Sequence, residues 1–124
     1  MSSCELYLQF MNGTGTAFTL TGFSGISQPP PTIDPGVTTY PPDSATSTFQ
    51  ILGNVSYADN NGGGFNVHFY MPAMGNNDFK ISSNPEGRYV GSFVGGTGGW
   101  TVKTVAKIVT GPGDMDVAKT ESST

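Results

Sequence analysis

Hydrophobic and polar residues alternate in several short stretches of the chain. Leu6, Leu8 and Phe10 alternate with Tyr7 and Gln9. Phe65, Val67, Phe69 and Met71 repeat this spacing. A period of two places one set of side chains in a core and the other set on the opposite face of a strand. Shorter strand-like runs are predicted at residues 17–23, 47–52, 54–58, 78–82, 89–94 and 100–109.

Turn signals rich in Gly and Asn separate these runs. Residues 12–15 read Asn-Gly-Thr-Gly, residues 59–64 read Asp-Asn-Asn-Gly-Gly-Gly, and residues 95–99 contain four glycines. Gly and Asn adopt the positive φ angles of tight turns. We therefore predict one hairpin over residues 6–23 and a second over residues 54–71.

The spacing of strands and turns predicts the fold class. About seven to eight short strands, with turns every 8–12 residues and no helical period, are typical of an all-β fold, either an antiparallel sandwich or a barrel. Of the two, we expect a single antiparallel β-sandwich. Residues 100–109 could resemble a helix, but their β-branched content and flanking glycines favour a strand. We expect residues 1–110 to form this domain and residues 111–124 to form a polar, flexible tail.

A proline-rich segment interrupts the pattern between Ser27 and Asp43. It contains six prolines, which remove backbone donors and favour extended conformations. The segment is therefore predicted to be a long loop or edge segment, such as a rigid crossover between two sheets.

The low charge content bears on whether the protein binds nucleic acid or membranes. Only 11% of the residues are charged, with five basic and nine acidic side chains, and the basic residues do not cluster. A nucleic-acid partner is therefore not expected. Membrane binding would depend on apolar contacts and hydrogen bonds and would vary weakly with salt.

Cysteine content and the N-terminal sequence bear on localisation. Cys4 is the single cysteine, and no basic segment followed by an apolar segment precedes the first strand. We expect a cytoplasmic protein or one exported without a cleaved signal peptide, and any membrane contact would be peripheral. Asn12 and Asn54 lie in glycosylation sequons, which are common by chance.

Candidate catalytic chemistry is sparse. His68 is the only histidine, and no nucleophile elbow, metal-ligand set or phosphate-binding loop is present. The Asp59 turn is similar to the start of a calcium loop but lacks the closing glutamate. The acidic residues fall mostly at turns and are expected to be solvated. We predict no enzyme activity, no cofactor and no metal.

The aromatic and methionine content suggests a binding surface instead. After residue 68, the chain runs from a strand into a loop containing proline, glycine and two methionines. Methionine at a loop tip adapts to irregular apolar partners. The side chains predicted to bind a ligand are Phe69, Tyr70, Met71, Met74 and Phe79 as an apolar rim, Asn76 and Asn77 as hydrogen-bonding groups, and Trp100. Alternatively, the apolar members of this set could fold back and plug one end of the sandwich.

This stretch resembles the aegerolysin family. The likeness rests on His68-Phe69-Tyr70 followed by Pro72, Gly75 and the residues 77–79, with support from Pro31-Thr32-Ile33. The resemblance implies a β-sandwich that recognises membrane lipid, such as sphingolipid, and can join a larger pore-forming partner protein. This chain has Met71 and Met74 where the family is expected to carry tryptophans.

Two further function classes remain open. Low charge, many Gly and polar residues, and strand edges with few lysines favour a self-assembling structural or storage protein made of like subunits. Trp100 and the tyrosines could instead read a sugar, as in a small lectin. Assembly would show concentration-dependent size without ligand, whereas a lectin would be eluted by free sugar.

Overall fold

The computed structural model describes residues 3–112, which form two β-sheets packed face to face. An all-β sandwich is thereby confirmed, with nine strands rather than seven or eight. The strands are β1 (Cys4–Asn12), β2 (Phe18–Ser24), β3 (Thr32–Ile33), β4 (Asp43–Ser47), β5 (Ile51–Ala58), β6 (Gly64–Met71), β7 (Asp78–Asn84), β8 (Tyr89–Val94) and β9 (Thr101–Thr110).

The strand order separates the two sheets. One sheet has four strands in the order β4-β1-β9-β8, and the other has five in the order β3-β2-β5-β6-β7. All pairs are antiparallel except β1 and β9, which run parallel from Glu5 opposite Thr101 to Asn12 opposite Ile108. The sandwich is therefore mixed, because the first and last strands lie side by side at the centre of one sheet.

The core lies between the sheets and follows the alternation in the sequence. Leu6, Leu8 and Phe10 of β1 are fully buried and face the inward side chains of β5 and β6. Phe18 packs edge-on against Phe65, with ring centroids 4.9 Å apart. Offset and edge-on aromatic pairs add stabilisation to the burial of apolar area. Because every second side chain of these strands points into the core, the residues between them lie on the outer faces of the sheets.

The predicted hairpin at residues 54–71 is confirmed, whereas the one at residues 6–23 is wrong. β5 pairs with β6 from Ile51 opposite Met71 to Ala58 opposite Gly64. β1 and β2, however, lie in different sheets. The buried Asn12 amide donates to the carbonyls of Thr16 and Ile33, while its oxygen accepts from Thr14. These bonds satisfy the side-chain amide of Asn12, and after the turn the chain crosses to the other sheet instead of pairing with β1.

The proline-rich segment is mainly a connection, as predicted, with the short β3 in it. The strand predicted at residues 47–52 is instead divided by a turn. The Ser47 hydroxyl accepts hydrogen bonds from the backbone N–H groups of Phe49 and Gln50, which closes the turn between β4 and β5. Serine hydroxyls compete with strand ladders in this way.

The predicted solvation of the acidic residues is wrong for Asp43 and Asp59, both of which are buried. In the part of the chain that the structure describes, no helix is long and apolar enough to span a membrane. Gly111 is still buried and donates to the Arg88 carbonyl. Residues 113–124 of the predicted tail lie outside the described residues.

Candidate functional site

Three connections lie together at one end of the sandwich. They are residues 48–50 between β4 and β5, residues 72–77 between β6 and β7, and residues 95–100 between β8 and β9. The start of β1 joins them, because the Cys4 thiol donates to the Phe49 carbonyl and the Glu5 N–H donates to the Trp100 carbonyl. We call this group of connections the Trp100 end.

Asn77 ties two of these loops together. Its side-chain amide donates to the carbonyl oxygens of Thr97 and Gly99, at 2.8 and 2.9 Å. Loops 72–77 and 95–100 therefore share one cross-linking side chain, although they belong to different sheets. A cleft of about 280 Å³ lies between them, and its lining includes Cys4, Met74, Asn76, Asn77 and Trp100.

Large apolar side chains project from this end. Met74 is 89% exposed, Phe49 is 65% exposed and Trp100 is 48% exposed. Leu52, on the outer face of β5, is also exposed and stands opposite Tyr70. Single exposed apolar residues are ordinary, but a group on neighbouring loops is typical of an interaction surface.

The three loops of the Trp100 end contain no Asp, Glu, Lys, Arg or His. Desolvating a charged group is costly, so a surface without charge loses little when it leaves water. The side-chain polar groups that remain are hydroxyls and amides. This end can therefore make apolar contacts together with neutral hydrogen bonds.

The opposite end has a different construction, which centres on Asp59. The Asp59 carboxylate is fully buried and accepts hydrogen bonds from the hydroxyl of Tyr89, from the guanidinium of Arg88 at 3.2 Å and from the backbone of Asn61 and Gly63. Burial by itself raises the pKa of Asp59, but these hydrogen bonds outweigh it and hold the pKa below its ordinary value. We call the turn at residues 59–63 and the turn at residues 85–88 the Asp59 end.

The architecture of this chain is shared with proteins of known structure. It is similar to IP-1A from Alcaligenes faecalis. The crystal structure of IP-1A aligns with a TM-score of 0.51 and 15% identity, covering 86% of this chain and 91% of that one. No protein-family model and no curated protein matches the sequence.

A likeness at 15% identity shows the fold alone. The shared architecture extends over most of both chains, which agrees with a β-sandwich for this protein. The family resemblance noted from the sequence is neither established nor contradicted by it.

The structure separates the predicted binding residues into two groups. Met74, Asn76, Asn77 and Trp100 come together around the cleft at the Trp100 end. Phe69 and Met71 do not belong to an apolar rim, and that part of the prediction is wrong, because both are fully buried. They continue the inward phase of β6, in which every second side chain enters the core.

Tyr70 and Phe79 take intermediate positions. Tyr70 lies on the outer face of the five-stranded sheet, between Leu52 of β5 and Asp78 of β7. Phe79 is partly buried and packs edge-on against Phe93 of β8, with ring centroids 5.4 Å apart. Tyr70 therefore lies beside the exposed Leu52, whereas Phe79 packs against the core between the two sheets.

Phe49 is the member of the Trp100 end that the sequence prediction missed. The strand predicted across residues 47–52 would have given Phe49 and Ile51 the same orientation. The Ser47 turn breaks that phase, so Ile51 enters the core while Phe49 faces solvent. The only signal in the sequence was the Ser-Thr pair before Phe49.

The remaining candidate groups do not assemble into a reactive site within residues 3–112. His68 is half-exposed on the outer face of the five-stranded sheet, with Nε2 4.0 Å from an oxygen of Asp78. No three His, Cys, Asp or Glu side chains of these residues converge as a metal site would require. The absence of enzyme activity remains a prediction.

Proposed function

We propose that this protein is a non-enzymatic, cytolysin-like β-sandwich that binds membrane lipid through the Trp100 end. The observation that carries the proposal is the grouping of exposed Phe49, Met74 and Trp100 on three neighbouring loops without charged residues. Exposed apolar groups of this kind mark surfaces that meet membranes or other proteins.

The chemistry of these side chains suits the boundary between lipid headgroups and acyl chains. Full burial of one large apolar side chain stabilises binding by about 1.5–3 kcal/mol. Tryptophan favours the membrane interface because its ring is apolar while its N–H remains available for a hydrogen bond. Two or three such side chains would give reversible, peripheral attachment.

The cleft supplies the polar part of the proposed site. The amide nitrogen of Asn77 is engaged in joining the loops, so this residue positions the cleft. Asn76 is exposed beside it and can donate to and accept from a lipid headgroup. The likeness to aegerolysins favours a sphingolipid headgroup and, after binding, recruitment of a larger pore-forming partner.

Vesicle sedimentation tests the proposal directly. The pure protein is mixed with vesicles of phosphatidylcholine, of sphingomyelin with cholesterol, and of ceramide phosphoethanolamine with cholesterol. We expect pelleting with a sphingolipid mixture and a blue shift of fluorescence, because Trp100 is the only tryptophan. Absence of pelleting with all three mixtures would overturn the proposal.

Matched variants assign binding to the loops. Met74→Ser and Phe49→Ser should each weaken vesicle binding about tenfold or more, since each removes one apolar contact. Val37→Ser is the control, because Val37 is exposed and lies away from the three loops, where its carbonyl accepts from the Asn12 N–H. Equal losses of vesicle binding in all three variants would contradict binding through the Trp100 end.

Self-assembly is the second candidate, and one edge strand favours it. β8 is an edge of the four-stranded sheet, has no charged residue and exposes Val90 and Val94. Edge strands without charged side chains readily pair with another chain. Concentration-dependent size in lipid-free buffer, measured by light scattering, would favour assembly of like subunits over lipid binding.

A further inference from the structure

A second surface with binding character lies on the outer face of the four-stranded sheet. The inward phase of β1 turns Tyr7 and Gln9 outward, and the neighbouring β9 turns Lys103 and Val105 outward. The parallel register places Tyr7 opposite Lys103 and Gln9 opposite Val105. These four side chains form one patch on the outer face of the four-stranded sheet.

The end of the proline-rich segment forms a wall beside this patch. Tyr40 and Pro42 complete a groove of about 400 Å³ with the four side chains. Tyr40 is 83% exposed. Its neighbour Thr39 is fixed to β1, because its N–H donates to the Phe10 carbonyl and its own carbonyl accepts from the Gln9 amide, both at 2.9 Å.

The groove combines two aromatic rings with one cation. The Lys103 ammonium lies 5.8 Å from the centre of the Tyr7 ring. Among residues 3–112, no carboxylate lies within 4.0 Å of the Lys103 ammonium. The Tyr7 hydroxyl donates to the Glu5 carboxylate at 3.4 Å, so the Tyr40 hydroxyl is the tyrosine donor left for a ligand. Gln9 also lines the groove, and its side-chain nitrogen donates to the Thr39 carbonyl.

We propose that this groove binds an acidic sugar residue, such as a sialic or uronic acid, at the end of a glycan. Tyrosine rings offer flat apolar surfaces for the C–H face of a pyranose, and their hydroxyls make hydrogen bonds. Lys103 pairs with the sugar carboxylate in a charge-assisted hydrogen bond. The volume accommodates one or two sugar residues, as is usual for small-ligand clefts. This activity goes beyond lipid binding, because the groove and the Trp100 end share no lining residue.

The proposal is tested by titration of the full chain with sialyllactose, glucuronic acid and lactose, followed by NMR or calorimetry. We expect saturable binding of the two acids and at least about tenfold weaker binding of neutral lactose, which lacks the partner of Lys103. Failure of both acids to bind at millimolar concentration, or equal binding of lactose, would overturn it.

Variants then locate the site. Tyr40→Ala and Lys103→Gln should each weaken binding of the acids about tenfold, and Lys103→Gln should abolish the preference over lactose. Lys107→Gln is the matched control, since Lys107 lies four residues after Lys103 on the same face of β9, opposite Met11. Thermal unfolding checks that each variant remains folded. Unchanged binding in both groove variants would overturn the assignment, as would an equal loss in Lys107→Gln.

Discussion

At the Asp59 end, one buried carboxylate joins turns that belong to different parts of the sandwich, whereas at the Trp100 end the loops are joined by the neutral amide of Asn77. The first arrangement places a charge in the interior and surrounds it with donors. The second leaves bulky apolar side chains in solvent. Hydrogen bonds to a buried charge offset the cost of removing it from water, whereas grouped exposed apolar side chains are typical of interaction surfaces.

The same contrast separates two methionines that are close in sequence. Met71 ends β6 with its side chain in the core, and Met74 lies in the next loop with its side chain in solvent. Position relative to the end of β6 therefore decides whether the methionine side chain is buried. The pleat of the strand directs Met71 into the core, whereas Met74 lies beyond the strand.

The largest expected effect is on stability at the Asp59 end. Asp59→Asn removes the charge that pairs with Arg88 and weakens the acceptor for Tyr89. We expect a loss of about 3–5 kcal/mol in the free energy of unfolding, as for other broken buried pairs. Denaturant titration measures this loss. Asp34→Ala, at an exposed position, should cost under about 0.5 kcal/mol, and equal costs would contradict a structural role for the network.

The methionine pair gives the next largest effect. Met71→Ala should cost about 2–5 kcal/mol of stability because it leaves a cavity in the core. Met74→Ala should change stability by less than about 0.5 kcal/mol while reducing vesicle binding. Denaturant titration and vesicle sedimentation on the same two variants separate the roles. A large loss of stability in Met74→Ala would mean that its side chain packs on the protein.

The sequence was sufficient to predict the elements whose pattern is local. The alternation in β1 and β6 and the turn at Asp59 predicted two core strands and one hairpin correctly. The same alternation also indicated that Phe65, Phe69 and Met71 share one face. Placing Phe69 and Met71 in an exposed rim contradicted that pattern, so the error could have been avoided from the sequence.

Other features depend on contacts that no local pattern contains. The turn after β1 resembles a hairpin turn, but hydrogen bonds from Asn12 to Thr16 and Ile33 direct the chain to the other sheet. The parallel pairing of β1 with β9 joins residues about a hundred positions apart. The burial of Asp59 depends on Arg88 and Tyr89, which follow it by 29 and 30 positions.

Asp59 also contrasts with Asp43, the second buried carboxyl group among residues 3–112. Asp43 Oδ2 is buried without a hydrogen-bond partner, and burial raises the pKa of Asp43 to about 6. A folded-state pKa above the unfolded value gives stability that is fully present below the unfolded pKa and is lost as the pH rises towards about 6. Asp59 has the opposite sign, because its lowered pKa makes stability decrease as the pH falls.

Asp43→Asn tests this difference. The variant should be more stable than the original chain at neutral pH, by at most about 3 kcal/mol, and this advantage should disappear below about pH 4. Thermal or denaturant unfolding across this pH range measures it. If the free energies of unfolding of the two proteins changed in parallel with pH, burial would not raise the pKa of Asp43.

The smallest expected effect concerns salt, and it distinguishes the Trp100 end from the groove at Lys103. The loops of the Trp100 end contain no charged residue, so vesicle binding should change less than about twofold between low and high salt. Binding of an acidic sugar should weaken several-fold over the same range, because it depends on one exposed cation. Sedimentation and calorimetry in matched buffers measure both. Strong salt dependence of vesicle binding would indicate that Lys103 and Lys107 bind the membrane, since these cations share one outward face of β9.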